Sequence, residues 1–225
     1  MTKNSNKKSK HNHQPTLVLF IRHGENEWTK SHKLAGRTPG VHLNEQGKKQ
    51  ASALSKRLAG VKLNAIYASP LERTVETANA IARPHNLTVQ KHPGLLEANY
   101  GDWTGKAISK LAKQKSWHTI QFYPSGASFP GGETMYQMQA RMVQEVNNLV
   151  ATHPGQTIAL VGHADLIKSA VAHYLGVHFD LFQRIVISTA SITTVSFSAV
   201  GPRVISVNDT NHNPPPEEKG KKKTK

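Results

Sequence analysis

Three short apolar runs restrict the folds open to this chain. Residues 16–21 (TLVLFI), 64–68 (NAIYA) and 157–161 (TIALV) are rich in branched and apolar side chains, and each passes abruptly into polar residues. That is the pattern of strands buried on both faces and ending in loops. Helical periodicity fills the gaps between them. Asn44 is placed to cap a helix over Glu45–Leu58, with Ala51, Leu54 and Leu58 on one side and Gly60 beyond its end. Ser69-Pro70 predicts a second helix, with Ser as cap and Pro in the first position, carrying Leu71, Val75, Ala78 and Ile81. Residues 133–152 repeat Met138, Met142, Val146 and Leu149 on one face, and residues 165–175 predict a further helix. Residues 87–90 read as a weaker strand, 108–115 as one short helix, and the Pro- and Gly-rich residues 122–132 as a loop. Residues 184–188, 191–198 and 203–207 all read as strands. Strands alternating with helices predict an α/β fold, a single-domain three-layer αβα sandwich around a largely parallel or mixed sheet.

A chain of 225 residues, 37% of them hydrophobic, suffices for one such core. The domain is expected over residues 15–209. With no cysteine there are no disulfides or thiolate metal sites. No apolar run reaches the length of a membrane helix and the first residues are polar, so a cytoplasmic protein is expected. Much of the net charge of +15 sits at the ends, where nine of the 29 basic residues lie among residues 3–10 and 219–225. Residues 1–14 and 210–225 are therefore expected to be disordered tails. Lysine tails of this kind can attract nucleic acid or an anionic surface, but they lack aromatic residues for stacking on bases, so solvated tails are the preferred reading.

The ends of the three runs carry chemically similar residues. The first delivers Arg22-His23-Gly24-Glu25, the second leads through Ser69-Pro70 to Arg73, and the third delivers His163. In a parallel sheet these ends share one edge, so the residues converge. Two arginines and two histidines make a site for phosphate: guanidinium forks match its oxygens in pairs, and a neutral imidazole can attack phosphorus. Gly24 would allow the backbone to approach the phosphate. A leaving alkoxide needs a proton, for which Glu97, ahead of the Tyr100-Gly101-Asp102-Trp103 loop, is the candidate.

Four motifs in this order resemble those of the histidine phosphatase superfamily, which includes the cofactor-dependent phosphoglycerate mutases. The resemblance runs through RHGE, Ser69-Pro-Leu-Glu-Arg73-Thr, Glu97 followed by YGDWTG, and Val161-Gly-His163, over most of residues 16–207. It implies that His23 is the phosphorylated nucleophile, that Arg22, Arg73 and His163 hold the phosphate, and that Glu97 is the acid and base. It also implies a phosphoglycerate mutase-like fold and chemistry without a metal or other cofactor. Gly24, Thr29, Arg37 and Ala164 are carried as candidate substrate-binding residues.

The departures from the family pattern bear on the reaction. Thr29 stands where the family often has a phosphate-contacting Asn, and its hydroxyl can donate one bond. Ala164 stands where Gly is frequent. Ala98 follows Glu97 where mutases have a carboxylate-binding Arg, and residues 107–130 contain no arginine, only Lys110, Lys113 and Lys115. Those three lysines and Trp103 are expected near the pocket. Phe129-Pro-Gly-Gly-Glu133 resembles a loop of phosphatase members. The expectation is hydrolysis of a small phosphomonoester through phosphohistidine, with a phosphoglycerate mutase, or a weakly catalytic phosphate- or nucleic-acid-binding protein, as alternatives.

Overall fold

The computed structural model of the protein describes residues 14–213; the expected tails, apart from Gln14 and residues 210–213, lie outside them. Six strands form one mixed sheet in the order β3-β2-β4-β1-β5-β6. They are β1 (Thr16–Arg22), β2 (Ala65–Ala68), β3 (Gln90–Lys91), β4 (Thr157–Gly162), β5 (Ile192–Ser198) and β6 (Gly201–Asp209). The first four are mutually parallel, whereas β5 runs antiparallel to β1 and β6 antiparallel to β5. The helices are α1 (Glu27–Lys30), α2 (Glu45–Leu58), α3 (Glu72–Ala82), α4 (Ile108–Leu111), α5 (Lys115–Phe122), α6 (Met135–Thr152) and α7 (Ala164–Leu175).

Alternation along β1 builds the layers. Val18 and Phe20 face one way into a core with Met138 and Met142 of α6 and Leu166 and Val171 of α7. Leu19 and Ile21 face the other way, onto Leu54 and Leu58 of α2 and Ala78 and Ile81 of α3. A strand covered on both faces must be apolar at every position, which is why the run showed no polar alternation. The α/β sandwich expected from the sequence is the fold observed.

Several boundaries differ. Helix α3 starts at Glu72 with Leu71 in the cap position, two residues after the predicted opening, because the Ser69 hydroxyl is engaged by His163 at 3.0 Å and caps nothing. Residues 108–122 form two short helices, α4 and α5, in place of one. Residues 185–188 are not a strand. They follow a 3-10 turn over Phe179–Arg184 and leave carbonyls free for side chains. Residues 210–213, expected to belong to the tail, turn back on the domain, where His212 bonds the Ala190 carbonyl and Asn213 that of Thr189. Among the described residues no helix is long and apolar enough to cross a membrane.

Candidate functional site

The register of the parallel strands sets the site. Arg22 lies opposite Gly162 and Ala68 opposite Val161, so His23, Ser69 and His163 emerge together at one sheet edge. There they border a cavity of about 210 Å³ lined by Arg22, His23, Asn26, Arg73 and Glu97, with Thr29, Ala164 and Asp165 on its walls. The distant segments singled out in the sequence do converge.

His23 is 3% exposed. Its Nδ1 lies 2.7 Å from the Gly24 carbonyl, which can only accept, so Nδ1 carries the proton and Nε2 keeps the lone pair. Burial, with Arg73 and Arg22 nearby, holds its pKa well below the usual imidazole range. A neutral ring with a free Nε2 is the form that attacks electrophiles.

The two guanidinium groups are anchored at one end and open at the other. Arg22 donates from Nη1 to the Ile187 carbonyl at 2.8 Å, while its Nε is buried without a partner. Arg73, 1% exposed, donates from Nη2 to the Gly36 carbonyl at 2.8 Å, leaving Nε and Nη1 unpaired. Unsatisfied buried donors on a cation are costly unless an anion completes them. Burial draws both arginines below the ordinary guanidinium range, partly offset by Glu97, and they remain cations.

His163 is fully buried, its ring centroid 5.3 Å from that of His23. Nδ1 is 3.3 Å from Arg73 Nη2 and 3.6 Å from Glu97 Oε2, and Nε2 is 3.0 Å from Ser69 Oγ. Since Arg73 only donates, the neutral ring accepts at Nδ1 and donates to Ser69. Burial and then Arg73 hold its pKa well below the usual range.

Glu97 is 7% exposed and accepts from the Ala98 N–H at 2.9 Å. Burial, reinforced by Asp165 and opposed by Arg73, pushes its carboxyl up to about 7. It can therefore carry a proton near neutrality and give it up readily. Asp165 accepts from the Tyr100 hydroxyl at 2.8 Å. Burial and that carboxylate raise the phenol well above its usual range.

Three expected substrate contacts are placed otherwise. The Gly24 N–H donates to Thr77 Oγ1 at 3.1 Å, and a Cβ on Gly24 would meet the Gly47 carbonyl at 2.7 Å. The glycine thus admits helix α2, and its amide is not open to phosphate. Thr29 borders the cavity, but its hydroxyl donates to the Asn26 carbonyl at 2.8 Å. Arg37 turns away, donating from Nε to the Glu97 carbonyl at 2.7 Å and pairing with Glu133 at 3.3 Å. Ala164 lines the cavity as expected, and Trp103 lines a neighbouring one. Lys110, Lys113 and Lys115 are exposed and border neither.

Sequence reasoning overlooked Asn26. It is fully buried and lines the cavity. Its Oδ1 accepts from the Trp28 and Thr29 amides at 3.0 and 2.9 Å, which leaves Nδ2 as an unpaired donor. The amide expected at position 29 is supplied three residues earlier, with Thr29 returning the capping bond. Also overlooked was the bracing of Glu97. Arg141 donates to the carbonyls of Gly94 and Leu96 at 2.8 Å each and pairs with Glu133 at 3.0 Å, and Glu133 accepts from the Asn99 N–H at 2.7 Å. Among the described residues no group of three or more His, Asp or Glu side chains is arranged to hold a metal ion.

Residues 18–210 match the family model of the histidine phosphatase superfamily, branch 1. The chain belongs to that superfamily. At that level it is a hydrolase of small phosphorylated substrates. It is 28% identical over 200 residues to phosphoserine phosphatase 1 of Hydrogenobacter thermophilus, covering 87% of this chain and 93% of that protein. It is 27% identical over 202 residues to a probable phosphoglycerate mutase of Yersinia pestis, covering 87% and 94%. The crystal structure of Entamoeba histolytica phosphoserine phosphatase in complex with 3-phosphoglyceric acid superposes with a TM-score of 0.82 at 26% identity, covering 88% of this chain and all of that one. The fold is thus phosphoglycerate mutase-like.

Proposed function

We propose that this protein is a phosphomonoesterase that works through a phosphohistidine on His23. The observation that carries the reading is the company kept by this imidazole: neutral, with its proton committed to Gly24, beside two guanidinium groups with buried unpaired donors and a carboxyl poised near neutrality.

In the first step His23 Nε2 forms a bond to phosphorus as the ester P–O bond breaks, and protonated Glu97 gives its proton to the leaving oxygen. Arg22, Arg73 and Asn26 Nδ2 donate to the equatorial oxygens, whose charge rises in the transition state. His163 joins them when the incoming anion offsets the neighbouring guanidinium charge, because the ring then takes a proton and donates from Nδ1. In the second step ionised Glu97 takes a proton from water, the new P–O bond forms, and the N–P bond breaks to release phosphate. Glu97 ends protonated, ready for another turn.

Hydrolysis is favoured over mutase chemistry by Ala98 beside the acid and by the lack of arginine in residues 107–130, since a mutase must hold its carboxylate substrate while the phosphate changes position. The test is rapid quenching with a labelled aryl phosphate. Wild type should accumulate an acid-labile, base-stable phosphoprotein, and His23→Ala should accumulate none and lose turnover while remaining folded. Full turnover in that variant would refute the reading. With 3-phosphoglycerate and a bisphosphoglycerate primer, free phosphate supports hydrolysis and isomer supports the mutase alternative.

A further inference from the structure

Beside the phosphate cavity lies a second one, of about 190 Å³, and the two share Leu34, Tyr100, Ile108 and Asp165 as lining. Its character is different. Leu34, Trp103, Ile108, Trp117, Ile120 and Phe129 supply the apolar wall. The rings are held by one another: Trp103 lies 5.6 Å from Trp117 and 5.7 Å from Phe129, and Phe129 meets Tyr100 edge to face at 4.9 Å. Trp103 and Phe129 are buried at 2% and 3% exposure, so this surface is formed before any ligand arrives.

The charged groups of this cavity are already committed. Lys168 Nζ donates to Gln183 Oε1 at 3.0 Å and lies 3.6 Å from Asp165 Oδ1, so its charge is matched. Asp165, on the shared wall, is an anion beside any group that crosses from one cavity to the other. A carboxylate on the leaving alcohol would meet repulsion there and gain no free cation beyond it. Lys33 and His32 do border the phosphate cavity, but both are exposed, where a pairing with a carboxylate contributes little. An apolar group entering the second cavity would leave water for a preformed aromatic wall, which is favourable in proportion to the area covered.

We infer that the second cavity is the leaving-group subsite, and that the preferred substrate is a phosphomonoester of an uncharged alcohol with an apolar, ring-sized body. The inference takes its phosphate end from the hydrolase reading above. It departs from the carboxylate-bearing ligands named for the phosphoserine phosphatases that this chain resembles.

Binding and turnover test the two readings separately. 3-Phenylpropylphosphonate and propylphosphonate share a P–C bond that water cannot cleave, so calorimetry with the wild-type chain reads the subsite without any reaction. The phenyl compound should bind at least about tenfold more tightly, and Trp117→Ala should erase most of that ratio. Gln121→Trp, which narrows the cavity, should erase it by the opposite route. Both are ratios within one protein, indifferent to the fraction folded. Equal affinity for the two phosphonates overturns the subsite whatever the hydrolysis assay gives. Tight phenyl binding without hydrolysis of any ester keeps the subsite and overturns the hydrolase. For turnover, kcat/KM for 2-phenylethyl phosphate should exceed that for glycerol phosphate and for phosphoserine, all three esters of aliphatic alcohols. A preference for phosphoserine overturns the inference in favour of a rim built on Lys33.

Discussion

Asn26 shows how much of this site depends on single side chains. The amides of Gly24 and Glu25 are consumed by Thr77 and Gln50, so this turn can grip phosphate only through its side chains. Asn26→Asp keeps the helix-capping oxygen but replaces the unpaired Nδ2 with an acceptor. We expect kcat/KM to fall by about 10- to 100-fold, the worth of a hydrogen bond to a charged group, with little change in thermal midpoint. An activity within twofold of wild type would remove Asn26 from the phosphate site. Acid-base behaviour is also decided at this scale. Because Glu97 titrates at about 7 and must begin protonated, kcat/KM for an alkyl phosphate should fall as pH rises above that value. Because the His23 pKa is held well below 6.5, the acidic limb should lie below that of a free imidazole. Glu97→Gln should abolish the alkaline limb and slow alkyl esters far more than nitrophenyl esters, whose leaving groups need little protonation. Equal slowing would put the acid elsewhere.

At the scale of elements, glycines decide how closely the parts of the site can approach. A Cβ at Gly47 on α2 would stand 2.0 Å from the Glu25 carbonyl, a backbone atom that cannot step aside alone. Gly47→Ala should therefore push α2 and the residue 23–25 turn apart, at a cost of about 1–3 kcal/mol in chemical denaturation, with a larger loss of activity than of stability. The Glu97 segment is held by a different device, the Arg37–Glu133–Arg141 network. Arg141→Lys keeps the charge but cannot span two carbonyls and a carboxylate. It should lower kcat for alkyl esters while leaving KM and the hydrolysis of nitrophenyl esters nearly intact, whereas uniform loss would mean mere destabilisation. This level was only partly legible in the sequence. β1, β2 and β4 could be read because each is a local apolar run with a polar stop. The start of α3 could not, because Ser69 has the look of a cap and its hydroxyl is taken by a histidine 94 positions away. Residues 184–188 have strand-like composition, yet Ile187 ends up orienting Arg22.

Across the whole molecule, the sequence brought Arg22, His23, Arg73 and His163 to one edge because parallel topology dictates where those strand ends meet, whereas Glu97 could be read only from the need for an acid and from the family resemblance. It could not reveal the second cavity, whose wall depends on how α4, α5 and the Phe129 loop pack over the sheet. It also misread Gly24, whose neighbour across the fold is a helix backbone. Fold stability carries the imprint of the site as well. Glu97 has its folded pKa raised from 4.5 to about 7, so it favours folding fully below 4.5 and this advantage disappears as pH rises through 7. The unfolding free energy of Glu97→Gln in chemical denaturation should therefore gain on that of wild type between pH 4.5 and 8, the gap reaching on the order of 3 kcal/mol. A gap independent of pH would mean that the carboxyl ionises normally. The contrast between the two cavities reaches further still. One is assembled from the tips of three strands far apart along the chain, whereas most of the aromatic wall of the other comes from a single stretch, residues 103–129. Descendants of such an ancestor could swap that one stretch for another and acquire new diets, all while inheriting the same reaction centre unchanged.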